Sequence, residues 1–214
     1  MRAELKDSLE FLYRDSPVRS QPCHSLHLDV ARGGTASVQI LIEGATPDGP
    51  IQCRIVPPTR RFPGMKWFRL RSIKVEKNTG LIGFTEDTNM GDRGSNRPNP
   101  YVARRAPFEV FDIMEPIHLP LKAEGQGMVL RLHLPVPADT RPCPTSITFN
   151  ISSGKASVAL SLNLNIFKCV LPPVGEHTFK YTNWFSLPAM ATAHGLRPWS
   201  EAHWHMIRQY AELM

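Results

Sequence analysis

The feature that most constrains this chain is a strict two-residue alternation near its end. Val158, Leu160, Leu162, Leu164 and Ile166 are apolar, and Ala159, Ser161, Asn163 and Asn165 between them are small or polar. Successive side chains of an extended strand point to opposite faces, so this segment has one face to bury and one to leave wet. The same period recurs at Leu26–Val30, Ala36–Ile42, Ile51–Ile55, Ile117–Leu121, Met128–Val136 and Ile147–Ile151. Ser153–Gly154 separates the last of these runs from Val158–Ile166 and reads as a hairpin turn joining them. Phe68–Val75 changes phase around Ser72, which predicts a bulge or bend there. Prolines number 20, roughly twice the usual share of about 5%. Many fall in close pairs: Pro57–Pro58, Pro98/Pro100, Pro135/Pro137, Pro142/Pro144 and Pro172–Pro173. Proline is excluded from helix interiors and central strands, so these pairs mark strand ends and loops. Many antiparallel strands without a long helix predict a mainly β fold over residues 1–172, a two-layer antiparallel β-sandwich of jelly-roll type.

Two stretches depart from this pattern. Gly83–Arg105 is rich in Asn, Gly, Asp and Pro, with little apolar content. A loop that long in a compact domain is usually functional or mobile. The second departure begins at Leu171–Pro172–Pro173. Thr178–Phe185 reads as a strand with little alternation, as expected where both faces are covered. Pro198 and Ser200 then open a helix, with Ser200 suited to cap it. Trp204, Ile207, Ala211 and Met214 fall on one face of that helix. Residues 173–214 therefore read as a strand–loop–helix unit from the start of a larger α/β domain, truncated at Met214.

The chain has 214 residues, 42% hydrophobic and 21% charged, and a formal net charge of +6. That composition can build a core and is not that of a disordered tail. No apolar run reaches the roughly 18 residues of a membrane helix, and no membrane partner is expected. Met1–Ser20 mixes charged and apolar residues and shows no secretory h-region, so the expected location is cytoplasmic. A chain beginning after a removed signal would look the same and would be secreted. Cys23, Cys53, Cys143 and Cys169 show no Cys-x-x-Cys spacing; free thiols are expected rather than a zinc site or disulfides. The basic residues, including Arg60–Arg61, Arg69/Arg71 and Arg104–Arg105, are scattered, and no basic helix gathers them. They read as solvated strand faces and loops, and no nucleic-acid partner is expected.

Four segments occur in an order that resembles a known family: "LDVARGGTASVQILIEG" (Leu28–Gly44), "LPVPADTRPCPTSITFNIS" (Leu134–Ser152), "LNIFKCVLPP" (Leu164–Pro173) and "YTNWFSLPAMATAHGLRPWSEAHWHMIRQYA" (Tyr181–Ala211). Together they resemble the N-terminal part of glycoside hydrolase family 123 and its uncharacterised relatives. The resemblance implies a β-sandwich followed by the first strand and helix of a (β/α)8 barrel. It also implies hydrolysis of a terminal β-linked N-acetylgalactosamine with retention, the substrate's acetamido group acting as nucleophile and an adjacent Asp–Glu pair assisting. One carboxylate must stay charged beside the forming oxazolinium while the other holds a proton for the leaving oxygen. This sequence contains no Asp followed directly by Glu, and Glu86–Asp87 has the reverse order. No catalytic residue is therefore expected in this chain; the pair is expected beyond Met214.

In that frame Asn183 and Trp184 end the first barrel strand, and barrel sites gather at the C-terminal ends of strands. Asn183, Trp184, His194 and Trp199 are the candidate substrate-binding residues: an indole can stack on a sugar face, and an amide or imidazole can hold a hydroxyl. The bland reading has Trp184 in the barrel wall and Asn183 tying down a loop. His203 and His205 are two residues apart and point about 200° apart on a helix, so no metal site and no cofactor are expected. Glu201 and His205 share a face and read as a helix-face pair. Trp67, Phe68, Tyr101 and Phe108 are either an aromatic platform for carbohydrate or, as alternating strand aromatics usually are, core. Arg104–Arg105 is either an anion site or a solvated pair. Two functions stay open. One is the accessory sandwich of a glycosidase acting on terminal β-linked N-acetylhexosamine, with carbohydrate as partner. The other is a self-sufficient carbohydrate-binding or adhesion module.

Overall fold

The alternating segments become strands in the computed structural model, which describes residues 1–46, 49–56, 62–76, 103–123, 127–173 and 186–213. In chain order the strands are β1 (Arg2–Asp7), β2 (Ser25–Arg32), β3 (Thr35–Glu43), β4 (Pro50–Val56), β5 (Lys66–Val75), β6 (Phe108–Ile117), β7 (Leu121–Lys122), β8 (Gly127–Pro135), β9 (Pro144–Ser153) and β10 (Ala156–Val170). They form two five-stranded sheets, ordered β1-β3-β8-β5-β6 and β2-β10-β9-β4-β7. The chain divides into two compact units, Met1–Pro172 and Pro173–Met214.

One apolar core lies between the sheets. Val38, Ile40 and Ile42 of β3 and Leu130, Leu132 and Leu134 of β8 meet Phe149 of β9 and Leu160, Leu162 and Leu164 of β10. Trp67 of β5 meets Phe149 edge-to-face at 6.2 Å between ring centroids, a direct contact from one sheet to the other. Leu160–Ile166 turn their apolar side chains inward, while Val158, nearer the hairpin, is half-buried against the same core. The β9–β10 hairpin turns at Gly154, whose φ of 58° suits a residue without Cβ. The phase change in β5 is a register shift between Arg71 and Ser72 against β6.

Pairing departs from the all-antiparallel expectation at one place. β2 runs parallel to β10, from Ser25 opposite Ser161 to Arg32 opposite Val170. β2 and β3 are joined by only Gly33 and Gly34, yet lie in different sheets. The chain turns a corner between the layers there instead of forming a hairpin, so β2 finds its partner far along the sequence. The corner is stitched to the end of β8: Gly33 N–H donates to Val136 O at 2.7 Å, and Val136 N–H to Gly34 O at 2.8 Å.

A second, smaller core lies on the other side of the first sheet. The segment between β1 and β2 crosses that face and buries Leu12 and Val18 against Leu41, Leu70, Phe111 and Val129. Its backbone is tied to β6, with Phe111 N–H donating to Leu12 O at 2.8 Å and Arg14 N–H to Glu109 O at 3.0 Å.

The four cysteines are free; burial pushes the Cys53 thiol up to about 12. No helix among the described residues is long and apolar enough to cross a membrane. The expected strand Thr178–Phe185, the polar loop from residue 83 through 102, Tyr101 and Arg60–Arg61 lie outside the described residues. The second unit contains α1 (Leu187–Ala193) and α2 (Glu201–Leu213). α2 is the helix that Pro198 and Ser200 announce; α1 occupies a stretch that reads in sequence as loop. The described residues supply no strand of a (β/α)8 barrel.

Candidate functional site

Two of the four candidate binding residues, Asn183 and Trp184, lie outside the described residues. The other two, His194 and Trp199, sit at the ends of the loop between the helices of the second unit. α1 starts at Ser186, whose hydroxyl accepts from Ala189 N–H at 3.3 Å. It stops at His194 and Gly195, where Gly195 takes φ 61° and Leu196 N–H donates to Ala191 O at 2.8 Å. That left-handed exit is the usual way a glycine ends a helix. α2 begins after Ser200, whose hydroxyl accepts from His203 N–H at 3.3 Å and donates to Arg197 O at 2.7 Å.

His203 fixes the loop. It is fully buried. Its Nε2 lies 3.0 Å from Leu187 O, and its Nδ1 accepts from Trp199 N–H at 2.9 Å. A carbonyl can only accept, so Nε2 carries the proton and Nδ1 the lone pair. Both ring nitrogens are thereby occupied with backbone, which leaves none for a metal or a substrate. Among the described residues no group of three His, Cys, Asp or Glu side chains could hold a metal ion.

Holding Trp199 N–H keeps that residue at φ 65°, a conformation that side-chain-bearing residues rarely adopt. The consequence is an outward indole: Trp199 is 54% exposed and lies 5.7 Å from Trp204, itself 54% exposed, with the ring planes at 46°. His194 Nε2 lies 2.8 Å from Tyr210 Oη, and the two rings meet edge-to-face at 5.7 Å. The arrangement can stack flat apolar faces and exchange hydrogen bonds. No pair of carboxylates faces it among the described residues, since Glu201 and Glu212 are both exposed on α2.

Trp204, Tyr210 and the structural role of His203 were not legible as site features. Tyr210 is sixteen residues from His194, a separation with no periodic signature. For His203 a signal existed: it stands three residues after the capping serine, where a Glu or Gln normally reaches back to a free N–H of the helix start. Here an imidazole does so.

Among the described residues the remaining aromatic candidates form no common platform, although Arg104 lies 5.7 Å over the Phe108 ring. Trp67 faces the core and Phe68 the opposite side of β5, where it packs against His133 at 4.9 Å. Phe108 meets Tyr13 edge-to-face at 5.5 Å. Arg104 grips Asp15 with two hydrogen bonds, of 2.9 and 2.6 Å, and lies 4.4 Å over the Tyr13 ring. The hydrogen bonds from Arg104 hold the Asp15 carboxyl below its ordinary range. Arg69 is likewise engaged, with Glu115 at 2.6 Å.

No protein-family model matches the chain, and no curated protein matches it. Among solved structures the chain is similar to a family 123 glycoside hydrolase from Clostridium perfringens, a protein studied for glycolipid glycan hydrolysis. The TM-score is 0.56 and the identity 12%, covering 80% of this chain and 28% of that protein. At that identity the likeness is one of fold. The chain spans little more than a quarter of the length of that neighbour.

Proposed function

We propose that this chain is the N-terminal accessory β-sandwich of a glycoside hydrolase acting on a terminal β-linked N-acetylhexosamine, with its catalytic carboxylate pair outside the 214 residues. The observation that carries the reading is the fold likeness to part of a family 123 glycoside hydrolase. The order of the four family-like segments supports the same assignment. In this reading residues 173–214 open a (β/α)8 barrel, and Asn183, Trp184, His194 and Trp199 stand at its substrate side. The exposed Trp199 indole stacks on a sugar face, and His194 with Tyr210 supplies a hydrogen-bonding pair. The sandwich buttresses the barrel and performs no bond cleavage.

The test is turnover of a chromogenic β-N-acetylgalactosaminide by two preparations, the 214-residue chain and the product of the whole coding sequence to which it belongs. The expected result is hydrolysis by the second that exceeds any hydrolysis by the first. Equal turnover by the 214-residue chain would place the chemistry within it, and no turnover by either would remove the glycosidase reading.

A further inference from the structure

The end of the sandwich where β8 gives way to β9 holds a cleft of about 620 Å3. That is within the range of roughly 300–1,000 Å3 usual for small-molecule sites. Phe62 and Ile166, both nearly fully buried, close it from below, and the exposed Pro63 with the half-buried Pro137 and Pro142 give it apolar faces that a ligand can reach. The loop over it is stiff. Pro137 and Pro142 fix φ near its two ends. Thr140 N–H donates to Pro137 O at 3.1 Å, and the Arg32 guanidinium donates to Ala138 O at 3.3 Å. A rim ordered in advance reduces the cost of ordering it on binding.

Besides the Cys143 thiol, four polar side chains line the cleft: Asp139, Thr140, Arg141 and Thr145. Asp139 and Arg141 are exposed, and neither has an ion-pair partner among the described residues. The cleft therefore offers one anionic acceptor, one cationic donor and two hydroxyls beside apolar proline faces. A simple anion would gain from Arg141 and be opposed by Asp139; a simple cation meets the reverse. A hydrocarbon chain gains nothing from the rim. A pyranose ring presents an apolar C–H face together with hydroxyls that both donate and accept, so it uses every group present.

We propose that this cleft is a glycan-binding site for one or two pyranose rings. Ring C–H groups rest on the proline faces of Pro63, Pro137 and Pro142 above the buried Phe62 and Ile166, hydroxyls donate to the Asp139 carboxylate, and others accept from Arg141 and Thr140. The site lies wholly within the first unit, whereas His194 and Trp199 belong to the second. Its existence rests on the cleft alone; only the choice of sugar rests on the glycosidase reading.

The experiment titrates the 15N-labelled chain with methyl β-N-acetylgalactosaminide. Backbone amide shifts are read together with the alkylation rate of Cys143, a half-buried thiol in the cleft wall, by peptide mass spectrometry. The expected result is shifts at Thr140, Arg141, Cys143 and Thr145, and slower alkylation of Cys143 with exposed Cys169 unaffected. Asp139→Ala and Arg141→Ala change exposed side chains, so both should fold as the parent does. Each should weaken binding about tenfold, as loss of one charge-assisted hydrogen bond does. Shifts confined to residues 186–213, shifts that persist in both variants, or no shifts at saturating sugar would each overturn the proposal. Any of these, alongside turnover by the whole gene product, leaves the glycosidase reading standing.

Discussion

Glu4 is fully buried, although its neighbours Ala3 and Leu5 are the ones that face the main core. It lies on the other face of β1, beneath the segment that crosses the first sheet. Lys6 Nζ sits 3.0 Å from Glu4 Oε1, in a charge contact rather than an aligned hydrogen bond, and 2.9 Å from Glu10 Oε1. Arg19 Nε and Cys23 N–H donate to Glu4 Oε2 at 2.9 and 3.3 Å. Burial pushes the Glu4 carboxyl up. The Arg19 hydrogen bond, the adjacent Lys6 ammonium and the Cys23 N–H together outweigh it and hold the group below its ordinary value of 4.5. A carboxyl whose folded pKa is depressed contributes stability that is complete above the unfolded value and is lost as pH falls through the folded one. Lys6 has the opposite sense. Burial pulls its ammonium down, but Glu10 and Glu4 hold it above 10.5, so its contribution is complete below that value and is lost as pH rises through the folded pKa. Glu4→Gln leaves Lys6 buried with Glu10 alone. The expected loss near pH 7 is about 3–5 kcal/mol, the usual effect of removing one member of a buried pair. The loss should shrink as pH falls from 4.5 through the lower value of the folded carboxyl, where the parent's own carboxylate takes up its proton. Urea titrations of both proteins at neutral and acid pH read this directly; equal midpoints at pH 7 would show that the pair contributes nothing.

The crossing segment between β1 and β2 shows what sequence periodicity hides at the level of an element. The inward faces of β3, β8, β9 and β10 were legible because an alternating strand states its buried side. Leu12 and Val18 are six residues apart in a stretch without period, so nothing marked them as a second core. A signal did exist in the strands they cover. Ile40–Leu41–Ile42 and Met128–Val129–Leu130 are unbroken apolar triplets inside otherwise alternating runs, and Leu41 and Val129 are the residues this segment buries. An apolar residue in the polar phase of a strand announces a cover on the second face. The parallel β2–β10 pair was not legible, because register between distant segments leaves no local trace. Helix α1, at seven residues, is too short for a 3.6-residue period to register. Leu12→Ala should cost about 2–5 kcal/mol, as truncation of a fully buried leucine does. It should also speed amide exchange at Phe111, whose N–H is bonded to Leu12 O. Unchanged exchange there would mean that the segment is held by its charges rather than by its apolar side chains.

Whether the sandwich stands by itself is a question about the whole molecule. Its main core draws on both sheets, and among the described residues none beyond Ile166 belongs to it. The end of β10 and Leu171 still matter, because Leu171 N–H donates to Arg32 O at 2.8 Å, and a Cβ at Gly33 would come within 2.5 Å of Leu171 O. The corner between β2 and β3 is therefore fitted around the end of β10, and a cut must fall after Leu171. Removing residues 174–214 keeps β1 to β10 and that corner, and it removes the half-exposed indoles of Trp199 and Trp204. Exposed aromatic pairs of this kind promote association. The shortened chain should be more soluble and should retain slow amide exchange in β3, β8, β9 and β10. A second cut after Asn165 should behave differently. It removes Ile166, which is 3% exposed, together with the residues that pair with Val30, Ala31 and Arg32. That chain should lose protection in β2 first, because β10 is the only strand to which β2 is hydrogen-bonded among the described residues. If the cut after Pro173 itself abolishes protection throughout the sandwich, residues 174–214 are part of its folding unit and the boundary at Pro172 does not hold.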